Sequence, residues 1–241
     1  MKEEGARAVP WGCERHCAQC LKKLCTRSIP IFASLDRAQL EKISGLTAHP
    51  CYEKGTVILA ENSQADFVAI VSQGSVKACK YTPDGREQIL YVFSEGDFFG
   101  EQNLLFDRPA FYHVVALEPV QLCLLYKWDF EALMRDNPDI AVKIIGELGW
   151  RLMHLENAVR NMGVRSLEAR INAVLLELAQ RYGTQCPEGV LLKLPLSREG
   201  LANYIGVARE TVSRKLGALE NEGVIRSINS KTLLIKDLSL L

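Results

Sequence analysis

Polar and apolar residues alternate along this chain in two different ways. Between Thr47 and about Lys127 the apolar residues come in short runs: YEKGTVILAE, DFVAIVSQG, SVKACKYTPDG, REQILYVFSEGDFFGE and YHVVALEPVQLCLLY. Gly55, Gly74, Pro83-Asp84-Gly85, Gly96 and Gly100 punctuate them, which predicts turns between many short antiparallel strands, a roll or a barrel. On either side the spacing changes to three and four residues, the period of a helix. A short helix over about Asp36–Ser44 turns Leu40 and Ile43 inward, and a second over Trp128–Arg135 stops at Asn137-Pro138. From about Asp139 to Met162 a long helix carries Ile145, Leu148, Leu152, Leu155, Val159 and Met162 in one narrow stripe. A stripe that narrow is a heptad seam, and it predicts a partner helix and parallel homodimerisation. Gly163 loosens the chain there, and Ser166 caps the next helix, Leu167–Gly183, which buries Ile171, Val174, Leu175 and Leu178. Thr184–Gly189 reads as a loop holding Cys186.

The stretch SREGLANYIGVARETVSRKLGAL, Ser197–Leu219, reads as two short helices around a tight turn at Gly206. Leu201, Ala202 and Ile205 line the inner face of the first; Val207, Val212, Leu216 and Leu219 line that of the second. Glu210, Ser213, Arg214 and Gly217 share the opposite face, at i, i+3, i+4 and i+7. Such a face suits a DNA major groove: Arg pairs with guanine O6 and N7, Glu accepts from cytosine N4, and Ser reaches either. The competing reading is an ordinary helical hairpin with a solvated charged face. Small Ala202 at the crossing, the short Gly turn, and two strands over Val224–Ile235 around Asn229-Ser230, a wing, favour the DNA reading.

Length and composition bound the rest. The 241 residues suffice for two cores, and 48% hydrophobic with 24% charged residues is an ordinary globular balance. No run approaches the roughly 20 apolar residues of a membrane helix. MKEEGARAVPW has no apolar signal region, so the cytoplasm is the expected compartment. Net charge is zero, and from Leu167 onward ten Lys/Arg face eight Asp/Glu, so DNA binding rests on local patches doubled in a dimer. No nucleophile–base arrangement, P-loop or dinucleotide fingerprint is present, so an enzyme is not expected. A zinc-thiolate protein that merely dimerises, without specific DNA binding, is a further contrast.

Eight cysteines are many for a reducing compartment, where metal or redox chemistry is their usual use. Cys13, Cys17, Cys20 and Cys25 fall in CERHCAQCLKKLC, at spacings that let thiolates converge on zinc or an iron–sulfur cluster. Arg15, Lys22, Lys23 and Arg27 among them favour thiolates. Cys51, Cys79 and Cys123, taken singly, read as small buried hydrophobes, and Cys186 has no assigned role. His16, His49, His113 and His154 sit in no axial-ligand setting and read as surface or core histidines.

The run VARETVSRKLGALENEGVI resembles the DNA-binding helix of the CRP/FNR regulators, with Glu210, Ser213 and Arg214 on that family's E-x-x-S-R pattern. The glycine positions and GDFFGE resemble the same family's cyclic-nucleotide-binding β-roll. That resemblance implies an α+β fold. Its parts are a cysteine-rich segment (1–27), a double-stranded β-helix sensor domain (28–137), a dimerisation helix with hinge (138–165) and a winged helix-turn-helix (166–241). Relatives that bind cyclic nucleotides place Arg-Ser where this chain has Ala110 and Phe111, so no cyclic nucleotide is expected; Glu101 and Arg108 read as turn and surface residues. HCAQCLKKLC and ALEPVQLCLLY resemble the cluster-binding parts of oxygen-sensing FNR proteins. This implies a [4Fe–4S] cluster on Cys17, Cys20, Cys25 and Cys123, with Cys13 as an extra upstream cysteine. The Cys20–Cys25 interval is one residue shorter than in that pattern. A zinc site on the four N-terminal cysteines and a thiol/disulfide switch remain as alternatives. The resemblance also implies double-stranded DNA and RNA polymerase as partners, and paired half-sites of TTGA followed by T or C. Arg209 precedes Glu210 as in CRP-like R-E-T-V and touches either an outer base or a phosphate.

Overall fold

The computed structural model describes Phe32 and residues 36–106, 108–164 and 166–241. Helix α1 (Arg37–Leu46) starts where Asp36 and Gln39 cap each other: Asp36 Oδ1 accepts from the Gln39 amide at 2.8 Å, and Gln39 Oε1 from the Asp36 amide at 2.9 Å. Eight strands follow: β1 (Cys51–Tyr52), β2 (Val57–Leu59), β3 (Phe67–Gln73), β4 (Ser75–Tyr81), β5 (Glu87–Ser94), β6 (Phe98–Phe99), β7 (His113–Ala116) and β8 (Val120–Tyr126). They form two four-stranded sheets, ordered β1-β8-β3-β6 and β2-β7-β4-β5. Helix α2 (Glu101–Phe106) lies between β6 and β7.

The central pair β3 and β8 is buried on both faces, which is why FVAIV and LCLL read as continuous apolar runs. Ala69, Val71, Leu122 and Leu124 point one way, into a core shared with Val76, Ala78, Phe93, Phe99, Val114 and Ala116 of other strands. Val68, Ile70, Cys123 and Leu125 point the other way, onto Phe32, Ile43 of α1, Phe130 and Leu133 of α3 (Lys127–Asp136), and Ile140 and Ile144 of α4 (Pro138–Val164). Cys123 therefore lies on the helical side of the sheet, where Phe32 also packs. Gly100 makes the turn into α2 at φ +92°; a Cβ there would stand 2.6 Å from the Phe67 carbonyl oxygen.

Of the expected seam of α4, only Leu148 among the described residues packs on its own domain, beside residues outside that seam. Ile140 and Ile144 are buried in their own domain, and Leu148 packs at its margin. Ile145, Leu152 and Val159 stand 67%, 58% and 70% exposed, and Leu155 is also exposed. The first turns of α4 thus pack on their own domain, while its later seam residues are exposed. Helix α4 belongs to one compact unit as far as Arg151 and to a second from Leu152.

The second unit also includes the hairpin tip Tyr81–Ile89 and everything from Leu152 to Leu241. Ser166 caps α5 (Leu167–Tyr182), accepting from the Ala169 amide at 3.2 Å; Ile171, Leu175, Leu178 and Ala179 form its buried face. Helices α6 (Arg198–Ile205) and α7 (Arg209–Asn221) follow β9 (Gly183–Cys186) and β10 (Gly189–Lys193). Strands β11 (Ile225–Asn229) and β12 (Thr232–Ile235) complete an antiparallel sheet ordered β11-β12-β10-β9. The expected loop over Thr184–Gly189 is instead the edge strand β9 and its turn. Its Thr184 and Gln185 are exposed and polar, so no apolar alternation marks it, and its order comes from pairing with β10.

Candidate functional site

Helix α6 is capped by Ser197, which accepts from the Gly200 amide at 3.1 Å, and ends at Gly206 in the left-handed region, φ +75°. The Val207 amide returns to the Ala202 carbonyl at 3.0 Å, which closes the sharp turn. Arg170 of α5 donates from Nη2 to the Ile205 carbonyl at 2.6 Å and so fixes the end of α6 on the domain. Helix α7 then buries Val212, Leu216 and Leu219 beside Leu201, Ala202 and Ile205. This packing leaves Arg209, Glu210, Ser213 and Arg214 all exposed on the first two turns of α7. Glu220, at its far end, accepts from the Ser227 amide at 2.8 Å and so ties the helix to β11. The wing tip, Asn229 and Ser230, is exposed, and Asn229 Oδ1 accepts from the Lys231 amide at 2.9 Å. An outward helix start with a wing behind it is the geometry by which a helix-turn-helix enters a major groove.

The β domain holds a second polar site, which the sequence reading missed. Glu101, expected on the surface, is 0% exposed. It meets Arg151 of α4, whose Nη1 lies 2.8 Å from Glu101 Oε1 and whose Nη2 donates to the Phe98 carbonyl at 2.6 Å. The guanidinium also lies 4.9 and 4.7 Å from the ring centres of Phe93 and Phe98. Glu101 Oε2 is buried without a hydrogen-bond partner among the described residues. Burial pushes the Glu101 carboxyl above its ordinary range, with Arg151 pulling the other way. Arg151 falls beside the apolar seam in sequence, and nothing local pairs it with a glutamate fifty residues away. Ala110 is buried, and Phe111 is 62% exposed with Lys80 Nζ 3.8 Å over its ring. Tyr112 instead fills the interior beside Tyr91, with ring centres 6.2 Å apart. Arg108 is exposed, as expected.

The cysteines divide. Cys13, Cys17, Cys20 and Cys25 lie outside the described residues. Cys123 is 2% exposed, and Cys79 is fully buried, as a small hydrophobe would be. Cys51, read as another buried hydrophobe, is half-buried and disulfide-bonded. Cys79, Cys123 and Cys186 carry no disulfide. The Cys123 sulfur lies 3.3 Å from Nδ1 of His49, and Nε2 of His49 lies 3.0 Å from the Thr47 hydroxyl. Burial pushes the His49 imidazole below its ordinary value, toward the neutral form. His49 was expected to be an ordinary surface or core histidine; the register of a two-residue strand is too slight a signal to place it beside Cys123. Among the described residues no group of three His, Cys, Asp or Glu side chains is placed to hold a metal, and no helix is long and apolar enough to cross a membrane.

Comparison with known proteins agrees with this architecture. Residues 50–137 match the cyclic nucleotide-binding domain and residues 169–241 the Crp-like helix-turn-helix domain. The chain is 30% identical over 188 residues to a CRP-like cAMP-activated global transcriptional regulator of Mycobacterium tuberculosis, covering 77% of this chain and 83% of that protein. It is 29% identical over 201 residues to a probable transcriptional regulator, flp, of Lacticaseibacillus casei, covering 83% and 89%. The fold is similar to that of FixK2 from Bradyrhizobium japonicum, with a TM-score of 0.72 at 24% identity over 80% of this chain and 94% of that one. A CRP/FNR-family regulator from Thermus thermophilus gives a TM-score of 0.62 at 28% identity over 80% and 95%. With a β-roll, a long helix and a winged helix-turn-helix in that order, the chain belongs to the CRP/FNR family of DNA-binding transcriptional regulators, not to a family of enzymes.

Proposed function

We propose that this regulator senses oxygen or redox state through its cysteines, with a [4Fe–4S] cluster held by Cys17, Cys20, Cys25 and Cys123. It acts in the cytoplasm and binds a near-palindromic FNR-like site as a homodimer. The observation that carries the sensing half is the setting of Cys123: its thiol is buried on the helical side of β8, in one cluster with Phe32. A soft sulfur in a dry pocket fits one corner of such a centre, and the resemblance supplies three more thiolates from Cys17, Cys20 and Cys25. When bound, the cluster supplies oxygen-labile redox chemistry. The protein's part is to report any change at Cys123. Ile140 and Ile144, at the root of α4, share the Cys123 cluster, so a shift there is felt by the helix bearing Ile145, Leu152 and Val159. A few kcal/mol of such coupling changes DNA occupancy about a hundredfold.

The exposed α4 residues support a dimer, since burying each large one contributes about 1.5–3 kcal/mol. In it, Glu210, Ser213 and Arg214 read bases in each half-site, about one helical turn apart, and Arg209 contacts an outer base or a phosphate. RNA polymerase is the expected protein partner on promoter DNA. Protein purified without oxygen tests the sensing reading: it should be brown, carry iron and sulfide, and bleach in air, and Cys123→Ser should remove the colour. Colourless, zinc-loaded protein would replace the cluster with the structural zinc alternative.

A second reading, a thiol/disulfide switch, is favoured by the disulfide at Cys51. It requires operator affinity to respond to a dithiol reductant in iron-free protein, and Cys51→Ser to abolish that response.

A further inference from the structure

We propose that Ile228, at the tip of the wing, is a specificity-determining residue that packs into the DNA minor groove bordering each half-site and selects A·T pairs there. Strands β11 and β12 pair Ser227 with Leu233 and Asn229 with Thr232, so two steps along β11 face one along β12. Ile228 is the extra residue of that bulge. A bulge re-aims the side chain it carries. Ile225, earlier in the same strand, is buried in the domain core, whereas Ile228 stands 50% exposed between Ser227 and Asn229.

Exposure alone would mean little, because single apolar side chains are common on protein surfaces. The position carries the inference. Glu220 of α7 holds Ser227 twice: the Ser227 amide donates to Oε1 at 2.8 Å and its hydroxyl to Oε2 at 3.2 Å. Glu220 lies two turns beyond Ser213, on the same exposed edge of the helix and about 10 Å further along its axis. The wing is therefore tied to the edge of α7 that carries Ser213, and Ile228 follows directly on that tie. The far side of the tip is braced as well. Asn229 Oδ1 accepts from the Lys231 amide at 2.9 Å, and the Lys231 carbonyl accepts from the Leu194 amide at 2.7 Å. A tip fixed at both ends presents its apolar side chain with little further ordering cost.

The inference rests on the reading that α7 enters a major groove by its first two turns. Its far end then leaves the groove over a sugar–phosphate ridge, and the minor groove lies beyond that ridge. Isoleucine is among the apolar side chains that proteins place in minor grooves. An A·T pair shows only adenine N3 and thymine O2 there, while a G·C pair adds the projecting N2 amino group of guanine. Against Ile228 that amino group loses its water and finds no acceptor, so a G·C pair is disfavoured.

The test first selects binding sites for the full chain from fully randomised duplexes. Affinity is then measured on a selected duplex whose pairs bordering each half-site are A·T, G·C or inosine·C. Inosine lacks the 2-amino group, so inosine·C matches G·C in the major groove and A·T in the minor groove. The wild-type chain should bind the A·T and inosine·C duplexes alike and the G·C duplex about tenfold more weakly. Ile228→Ser should bind all three alike, at the weaker level, and keep the selected core; Ile228→Leu should retain the border preference. Circular dichroism confirms that each variant is folded, and the inosine comparison needs no variant at all. The proposal is overturned by a wild-type chain without border preference, by inosine·C bound as weakly as G·C, by a preference unchanged in Ile228→Ser, or by one that Ile228→Leu loses as fully as Ile228→Ser. If the wild-type chain selects A·T runs that Ile228→Ser abolishes, but no core that Arg214→Ala alters, the wing contact stands and base reading by α7 falls.

Discussion

Replacing Arg151 with Met tests whether the buried Glu101–Arg151 pair joins α4 to the β-roll. The substitution keeps an unbranched apolar stem against Phe93 and Phe98 but removes four things: the 2.8 Å contact to Glu101, the 3.4 Å contact to Glu147, the 2.6 Å donation to the Phe98 carbonyl, and the charge over the two rings. Glu101 is 0% exposed and its Oε2 already has no partner among the described residues, so its carboxylate would be left buried without its cation. Breaking one half of a buried pair costs about 3–5 kcal/mol, and an abandoned carbonyl costs about 1–3 kcal/mol when nothing replaces its donor. Protonation of Glu101 relieves part of this, so the net loss is about 3–5 kcal/mol. Adding Glu101→Gln removes the stranded charge, and the double variant should recover about half the loss. Urea denaturation of the four proteins, followed by circular dichroism, gives the cycle and its coupling energy. A loss below about 1 kcal/mol for Arg151→Met, or single losses that simply add, would refute the reasoning.

Arg214→Ala should cost about 1–3 kcal/mol on the specific site and relax base preference there; equal loss on random DNA in a titration would count against base reading. Paired substitution of Ile145 and Leu152 by Lys should yield a folded monomer in sedimentation, and a variant that stays dimeric would remove α4 from the interface. Gly206→Val places a branched residue at φ +75°, and should destabilise the C-terminal domain by about 1–3 kcal/mol in thermal unfolding. Glu101 carries a raised pKa, so between its ordinary and raised values the folded chain binds more protons than the unfolded chain. Stability should therefore fall as pH rises through that window, and Glu101→Gln should flatten the slope.

What the sequence disclosed follows the range of the interactions involved. The helix-turn-helix was legible because its signals are local: Ser197 as cap, Gly206 at the turn, and an apolar stripe at Val212, Leu216 and Leu219. Strands β3 and β8 announced themselves as apolar runs because both faces are buried. The hidden features depend on distant partners. Strand β9 exists because β10 pairs with it, and its own residues, GTQC, carry no strand pattern. Glu101 read as a turn residue because its partner Arg151 enters from another element. His49 looked ordinary because only the β1–β8 register sets it against Cys123. The exposed face of Arg209, Glu210, Ser213 and Arg214 was legible from helical period alone, since it is the side that Val212 and Leu216 do not bury.

The most direct test of a cysteine-based sensor governing a paired DNA reader is one titration performed twice on the same sample. Anaerobically prepared protein of measured iron and sulfide content is titrated against a palindromic TTGA-type site, exposed to air, and titrated again. Such a sensor should carry about four iron and four sulfide per chain at the start, bind tightly as a dimer, and bind about a hundredfold more weakly once the absorption has bleached. Iron-free protein whose operator affinity is the same before and after air would contradict it.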